Sequence, residues 1–177
     1  MYRISKLIRL DRKLFHSNDL AVLWGISNKN TLYTTIKRYA RRGILVPVYK
    51  GLYSTVPIAQ LNPTELGVAV IHKYAYLSTE SVLAQTGIIY QATYGQTFVT
   101  SVSKKLRLGG MSFLYRKMKD ECLNNPSGLT EINGVFVAST ERAVADMLYF
   151  NPNYHFDMPD NIDWEKVNVI QKEVGYL

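Results

Sequence analysis

The sequence predicts an α+β protein of two domains, one over residues 1–56 and a small mixed α/β domain over residues 63–177. Apolar residues recur at helical spacing through the first 42 residues, and short β-forming segments follow them. Two prolines among polar residues then interrupt the pattern between Val56 and Pro63. Beyond that interruption, helix-like and strand-like segments are mixed. Hydrophobic residues make up 47% of the chain and charged residues 20%, which is the balance of a folded protein.

Two short helices are predicted at the N-terminus, with a short strand between them. Basic residues separate the apolar positions of the first helix, which are Ile4, Leu7 and Ile8. The apolar pair Leu14-Phe15 is expected to enter the core as a strand. Ser17 is the predicted N-cap of the second helix, and Gly25 is its predicted end. The buried side of this second helix is predicted to consist of Leu20, Leu23 and Trp24.

A third and longer helix is predicted from Asn28 to Arg42, a stretch that contains neither glycine nor proline. Ser27 is its expected N-cap, and Gly43 stands where the helix should stop. The apolar stripe of this helix has the helical period and comprises Leu32, Ile36, Tyr39 and Ala40. The opposite face is polar and basic.

A β-hairpin is predicted directly after the third helix. Its first strand, Ile44–Val48, contains Pro47, which favours the edge of a sheet. Tyr49-Lys50-Gly51 is the predicted turn, and Leu52-Tyr53-Ser54 is the returning strand. Three helices followed by a hairpin are typical of a winged helix-turn-helix domain, in which the third helix enters the major groove of DNA and the hairpin is the wing. We therefore predict such a domain over residues 1–56.

The C-terminal domain is predicted to contain both helices and strands. In chain order its elements are a helix over Thr64–Tyr74, a helix over Ser78–Gly87, β-structure within 88–102, a Gly109-Gly110 turn, a strand over Ser112–Met118, a strand over Ile132–Ala138 and a helix to about Tyr149. Ser78 or Thr79 is expected to cap the second helix, and Ser139 or Thr140 the last. Asn133-Gly134 is expected to lead into the strand that follows it. No helix or strand is predicted in the polar and acidic tail, Asn151–Leu177.

Positive charge is concentrated in the first third of the chain. The whole chain carries a net charge of +7. Residues 1–54 hold eleven Lys or Arg against two acids, and residues 55–177 carry a net charge of −2. A small domain with such an excess is expected to bind a polyanion. The third predicted helix has five basic residues and no acid, whereas a merely solvated helix usually mixes the two signs.

Double-stranded DNA is the predicted partner, and the expected contact residues lie on the third helix and the hairpin. Lys37, Arg38 and Arg41 suit phosphates, while side chains at the helix N-terminus are placed to meet base edges. The predicted DNA-binding residues are Asn28, Lys29, Asn30, Thr31, Tyr33, Thr34, Lys37, Arg38, Arg41 and Lys50. Three alternatives remain open. The face is a solvated surface of no special function, or the winged helix is a protein-interaction module without specific DNA binding. The third is an enzyme that acts on nucleic acid with a catalytic C-terminal domain, although the sequence offers no constellation of carboxylates, His or Cys for it.

The sequence predicts no enzyme, no cofactor and no metal site. His16, His72 and His155 have no metal-ligand spacing, and the single cysteine, Cys122, excludes a CxxC site and an intrachain disulfide. Nucleotide-binding glycine loops and a G-x-S-x-G motif are missing. The acidic cluster within residues 157–165 lacks the loop signature of a cation site. With no secretory signal and no apolar run that could span a bilayer, the protein is expected to be cytoplasmic and free of the membrane.

Five stretches of the chain carry a family likeness through their order and spacing. They are Phe15–Leu20, residues 36–45 (IKRYARRGIL), Lys50-Gly51-Leu52-Tyr53, Tyr76-Leu77-Ser78 with Ser81-Val82-Leu83, and Ser139–Ala143 with Asp146. Together these stretches resemble the AbiEi antitoxins of type IV toxin–antitoxin systems, which act in abortive infection, a form of phage defence. The likeness covers most of residues 10–150.

The resemblance implies a repressor and antitoxin in one chain. An N-terminal winged helix would bind inverted repeats in its own promoter and repress the operon. A C-terminal domain would counter a nucleotidyltransferase-like toxin encoded beside it, without a stable complex between the two proteins. The residues themselves support only DNA binding. For Arg142 and Asp146, four residues apart on the last predicted helix, an ion pair or a buried polar anchor is favoured over a direct role in antitoxin activity.

Overall fold

The computed structural model describes residues 2–91 and 95–176, and the chain divides into two compact units, Met1–Asn62 and Pro63–Leu177. We call these unit 1 and unit 2. Both contain helices packed with a β-sheet, so the protein is an α+β protein, as the sequence predicts. No helix in the described ranges is long and apolar enough to cross a membrane.

The described part of unit 1 contains three α-helices, a three-stranded antiparallel sheet and a short 3-10 helix at Ile58–Gln60. In chain order the α-helices and strands are α1 (Tyr2–Ile8), β1 (Leu14–His16), α2 (Ser17–Trp24), α3 (Lys29–Arg41), β2 (Val46–Tyr49) and β3 (Leu52–Ser54). The spatial strand order is β1-β3-β2, so the predicted hairpin is joined by the Leu14-Phe15 strand, and Pro47 lies on an edge strand. The core contains Leu7, Phe15, Leu20, Trp24, Ile26, Leu32, Ile36, Tyr39 and Leu45.

Three local predictions in unit 1 are wrong. Ile8 does not face the core: it is 78% exposed, because it lies about 100° around the helix from the buried Leu7. Ser17 is not the N-cap of α2. His16 occupies that position, and its backbone N–H donates to Asp19 Oδ2 at 3.0 Å. Ser27 is not the N-cap of α3 either, because the Asn28 side chain fills that role.

Unit 2 is built on a six-stranded mixed sheet in the order β6-β7-β5-β4-β9-β8. In chain order its elements are α4 (Pro63–Ile71), β4 (Ala75–Leu77), α5 (Glu80–Gln85), β5 (Gln96–Thr100), β6 (Lys104–Leu108), β7 (Met111–Lys117), α6 (Asp120–Leu123), β8 (Leu129–Ile132), β9 (Val135–Ala138), α7 (Thr140–Phe150) and α8 (Trp164–Val174). Strands β5 and β7 are parallel, as are β4 and β9, and the other neighbours are antiparallel. Helix α4 lies directly on the sheet, because a Cβ on Gly67 would stand 2.4 Å from the Phe98 ring.

The structure corrects the predicted elements of unit 2 in four places. The helix expected over Thr64–Tyr74 ends at Ile71, and a strand follows at Ala75–Leu77. Its residues are all buried, so no alternating pattern revealed it. The strand expected over Ile132–Ala138 is the second half of a hairpin, with Asn133 and Gly134 both at positive φ in the turn.

The other two corrections concern a cap and the tail. Neither Ser78 nor Thr79 caps α5 with its side chain, since Ser78 bonds to Asp146 instead. The tail contains a further helix, Trp164–Val174, which the Asp163 side chain caps by accepting from the Lys166 N–H at 3.1 Å.

Candidate nucleic-acid interface

Helix α3 separates its side chains into a buried and an exposed face. Leu32, Thr35, Ile36 and Tyr39 are buried, and Thr35 Oγ1 donates to the Thr31 carbonyl at 2.8 Å. The residues predicted to bind DNA on this helix are all exposed. They are Lys29, Asn30, Thr31, Tyr33, Thr34, Lys37, Arg38 and Arg41. The sequence pattern thus predicted the two faces of α3 correctly.

The side-chain oxygen of Asn28 takes part in the N-terminus of α3. Its Oδ1 accepts a hydrogen bond from the Thr31 backbone N–H at 3.0 Å, which makes it the N-cap. A bidentate contact to adenine needs both the oxygen and the nitrogen of an amide. Because the Asn28 oxygen is committed to the helix, Asn30 is the better placed of the two asparagines to read a base.

The cations of α3 are not neutralised by neighbouring acids. Within the described ranges, none of Lys37, Arg38 and Arg41 takes part in an ion pair. The Arg38 guanidinium lies 5.6 Å from the centroid of the Tyr39 ring. Tyr39 itself is buried against Trp24, with the two ring centroids 5.2 Å apart. This packing gives the basic face a rigid support.

Other charged groups of unit 1 are already engaged within it. Asp19 pairs with Arg12 at 2.6 Å, and Lys6 donates to the Leu23 carbonyl at 3.1 Å. Neither of the two acids of unit 1 lies on α3. Within the described residues, no acid of unit 1 therefore forms an ion pair with a cation of α3.

The β2–β3 hairpin presents Lys50 to solvent at its turn. Gly51 follows at φ +66°, and its carbonyl accepts from the Ser17 N–H at 2.8 Å, which ties the turn to the start of α2. Burial and the neighbouring Tyr33 phenol raise the pKa of Tyr53. Tyr53 of β3 packs against the core of unit 1, which the buried side chains of α3 also form.

A second polar cluster lies in the core of unit 2 and centres on Arg142. Both Arg142 and Asp146 have fully buried side chains, and Arg142 Nε donates to Asp146 Oδ1 at 2.8 Å. The remaining guanidinium N–H groups donate to the Tyr76 hydroxyl and to the carbonyls of Asn125, Ser127 and Cys122. Ser78 Oγ donates to Asp146 Oδ2 at 2.7 Å, and the Tyr176 hydroxyl donates to Asp146 Oδ1.

This cluster joins two of the family-like stretches that the sequence singled out. Tyr76 lies in β4 and Ser78 directly follows that strand, while Arg142 and Asp146 lie on α7. Burial opposes the charge of Arg142, but the Asp146 carboxylate and the neighbouring phenols of Tyr76 and Tyr176 raise its pKa overall. A buried cation with every donor satisfied is a fixed anchor for the core. Sequence reasoning missed Tyr176, because nothing in the polar tail indicated that its end returns to the core.

The remaining candidate groups of unit 2 are engaged in the fold. Asp157 Oδ2 accepts from the Tyr90 N–H at 2.7 Å, and Asp163 caps α8. In the parts of the chain that the structure describes, no group of three or more His, Cys, Asp or Glu side chains could hold a metal ion. Cys122 is a buried free thiol whose sulfur lies 3.9 Å from the Gly175 carbonyl.

No protein-family model and no curated protein matches the chain. Among solved structures, the crystal structure of the RV2827C protein from Mycobacterium tuberculosis is similar, with a TM-score of 0.56 and 13% sequence identity. The alignment covers 96% of this chain and 69% of that one. At this level of identity, the similarity is one of fold.

Proposed function

We propose that the protein is a sequence-specific DNA-binding antitoxin that represses its own type IV toxin–antitoxin operon. Unit 1 is its winged helix-turn-helix domain, with α3 as the recognition helix and the β2–β3 hairpin as the wing. The observation that carries the proposal is the α3 face, whose cations are exposed and unpaired by acids throughout the described residues. Such a face is complementary to the phosphate backbone on either side of a major groove.

The proposal assigns different roles along α3. Lys37, Arg38 and Arg41 contact phosphates, together with Lys50 of the hairpin. Lys29, Asn30 and Thr31 lie in the first turn and meet base edges. Tyr33 and Thr34 stand between these two groups and contact the backbone. Asn28 orders the N-terminus of the helix that presents them.

The antitoxin half of the proposal rests on the resemblance to AbiEi antitoxins. Two of the stretches that carry it meet at the Arg142–Asp146 pair, so their polar residues hold unit 2 together. Its partner would be a nucleotidyltransferase-like toxin encoded in the same operon. Co-expression with that toxin should restore growth, and affinity purification should recover no stable complex. Unrelieved growth arrest would contradict the antitoxin role and leave the DNA-binding role standing.

The DNA-binding half is tested by fluorescence-anisotropy titration of the full chain. The probes are a duplex from the upstream region of its own gene and a scrambled duplex, each at two salt concentrations. The Lys37→Gln/Arg38→Gln/Arg41→Gln variant should weaken binding to both duplexes. A matched control removes the same charge from three exposed positions of unit 2, Lys105→Gln/Arg107→Gln/Lys172→Gln, and should bind as the wild type does.

The outcomes separate this proposal from its main alternative. Tighter binding to the native duplex that survives the higher salt concentration supports a specific repressor. Equal losses in the two triple variants would contradict the role of α3. Weak, sequence-independent binding that disappears at the higher salt would favour a winged helix that docks on another protein.

A further inference from the structure

The six-stranded sheet of unit 2 ends in two edge strands, β6 and β8. Among the described residues, β6 pairs only with β7, and β8 pairs only with β9. The outer side of such a strand presents backbone N–H and C=O groups to which a further strand can bind. Both pairings have a regular register, without a bulge that would twist the edge away. Both edges are therefore suited to accept another strand.

The two edges carry opposite charge. Residues 101–119, which contain β6 and β7, hold six Lys or Arg and no acid. Residues 120–177, which contain β8 and β9, hold ten acids and three Lys or Arg. On the edge strands themselves, Lys105 and Arg107 of β6 and Glu131 of β8 are exposed. In the part of the chain that the structure describes, none of these three side chains forms an ion pair.

The cations of β6 lie on the face of the sheet away from α4. Phe113 of β7 is on the face that carries α4, because a Cβ on Gly67 of that helix would stand 3.1 Å from the Phe113 ring. Residues directly opposite each other on neighbouring strands share a face. Leu106, opposite Phe113, is thus on the α4 face, and Lys105 and Arg107 are on the other face.

The acid of β8 lies on the same face as these cations. Leu77 of β4 has Phe98 and Val137 as its cross-strand partners, and all three are on the α4 face. In the β8–β9 hairpin, the register then places Ile132 on the α4 face and Glu131 on the other face. Each edge therefore has charge on one face and an apolar side chain on the other.

The strand directions also match. Between β6 and β8 the sheet has three antiparallel and two parallel pairings, so β8 runs antiparallel to β6. When two copies lie side by side in the same orientation, β8 of one copy is antiparallel to β6 of the other, with the same faces aligned. In the register that sets Glu131 opposite Arg107, Ile132 lies opposite Leu106. Ile132 is 52% exposed and Leu106 is half-buried, so this pairing would cover apolar surface.

Charged side chains on an edge strand normally prevent edge-to-edge pairing. Lys105 and Arg107 do exclude a second β6, because like charges directly opposite each other are destabilising. They attract β8, whose exposed charge is negative. The two edges are therefore each protected against themselves and complementary to each other.

We propose that β8 of one copy of this chain pairs with β6 of a second copy and joins their sheets edge to edge. Glu131 contacts Arg107 and Lys105 of the neighbour on one face, and Ile132 packs on Leu106 on the α4 face. Because the two surfaces differ, the contact is head-to-tail, and a pair of copies keeps one free β6 and one free β8. The contact involves unit 2 alone and is separate from the proposed DNA contacts.

Sedimentation velocity of the full chain, without DNA, tests this association. A contact of one short strand pair is small, so the dissociation constant should be on the order of 100 µM. The mean sedimentation coefficient should therefore rise as the chain is concentrated from about 1 µM to about 300 µM. A constant coefficient over this range would overturn the proposal.

Charge reversal at each edge identifies the surfaces. Glu131→Lys and Lys105→Glu/Arg107→Glu should each weaken self-association at least about tenfold, because like charges then oppose each other. An equimolar mixture of the two variants should associate again, since each supplies the edge that the other lacks. Both variants keep a net positive charge, so general attraction does not explain a recovery. Wild-type association in either variant alone, or no recovery in the mixture, would contradict the pairing.

A matched control reverses two exposed cations of unit 2 that lie outside its edge strands. Lys73→Glu/Lys172→Glu has the same net charge as the β6 variant and should associate like the wild type. Equal losses in the control and the β6 variant would mean that net charge, and not the β6 edge, governs the association.

Disulfide trapping tests the register without changing any charge. Ile132→Cys and Leu106→Cys are placed on separate chains, and directly opposite residues are close enough for a disulfide bond. Mild oxidation of the mixture should give more covalent dimer than oxidation of either variant alone. The buried Cys122 is common to all samples. Equal yields from the mixture and the separate variants would overturn the proposed register.

Discussion

Arg142 illustrates how much of unit 2 depends on single buried residues. Its guanidinium has five N–H donors, and the acceptors around it use all of them. Asp146 supplies the countercharge and also accepts from Ser78 and Tyr176. A buried pair of this kind stabilises little relative to apolar residues, but it is costly to break.

Asp146→Ala should therefore lower the free energy of unfolding of unit 2 by about 3–5 kcal/mol, because it leaves a buried cation without a countercharge. Urea unfolding measures this loss. Lys166→Ala, which breaks the exposed ion pair with Asp163, is the control and should leave the midpoint unchanged. Similar midpoints for the two variants would contradict the anchoring role of Asp146.

The tyrosines around this pair predict a loss of stability at alkaline pH. Burial and the Asp146 carboxylate raise the pKa of both Tyr76 and Tyr176 above the usual value near 10. The folded state thus keeps phenolic protons that the unfolded state releases. Their contribution to stability is complete below about pH 10, and each tyrosine should remove about 1.4 kcal/mol per pH unit above it.

Tyr176→Phe isolates one of these two protons. Urea unfolding between about pH 9 and about pH 11 should show a shallower decline for the variant than for the wild type. Parallel declines would mean that Tyr176 is not protonated and buried in the folded protein. The comparison uses slopes, so the loss of the hydrogen bond to Asp146 does not affect it.

At the scale of elements, α3 shows where a sequence pattern is strong and where it is weak. The apolar stripe of Leu32, Ile36 and Tyr39 predicted which face is buried, because helical periodicity spans many residues. The cap depends on a single side chain, and two adjacent residues, Ser27 and Asn28, were both suited to it. Only the backbone conformation of the finished helix decides between them.

Asn28→Ala should destabilise unit 1 by about 1 kcal/mol, because the Thr31 N–H loses its acceptor. Ser27→Ala is the matched control and should have no measurable effect. Thermal unfolding followed by circular dichroism compares the two variants. If only Ser27→Ala lowers the melting temperature, Ser27 rather than Asn28 is the N-cap of α3.

Strand β4 is an element that no sequence pattern predicted. Its three residues, Ala75 to Leu77, are all buried because the strand lies inside the sheet between β5 and β9. A strand that is buried on both faces shows no alternation, and a short apolar run does not distinguish it from the end of a helix. The neighbours in the sheet therefore decided its structure.

At the scale of the whole molecule, charge is divided between the two units. All of the excess positive charge lies in unit 1, and unit 2 is slightly acidic. Electrostatic binding to a duplex should therefore depend on the cations of unit 1, through release of counterions from the phosphates they contact.

This division predicts the salt dependence of the proposed DNA binding by the full chain. Each phosphate contact contributes about 0.9 to the slope of log K against log salt concentration. Replacing Lys37, Arg38 and Arg41 with Gln should lower the slope by up to about 3. The unit 2 triple variant has the same net charge and should keep the wild-type slope. A reduced slope in that variant instead would place the phosphate contacts on unit 2.

The sequence by itself determined the α+β class, the segregation of charge and the two faces of α3, because composition and periodicity are properties of the chain alone. It also selected Tyr76, Ser78, Arg142 and Asp146 as members of characteristic stretches. Only the tertiary structure decided that these four side chains meet, with Tyr176 of the tail, in one buried cluster. Contacts between residues far apart in sequence follow from strand order and packing, which no local pattern encodes.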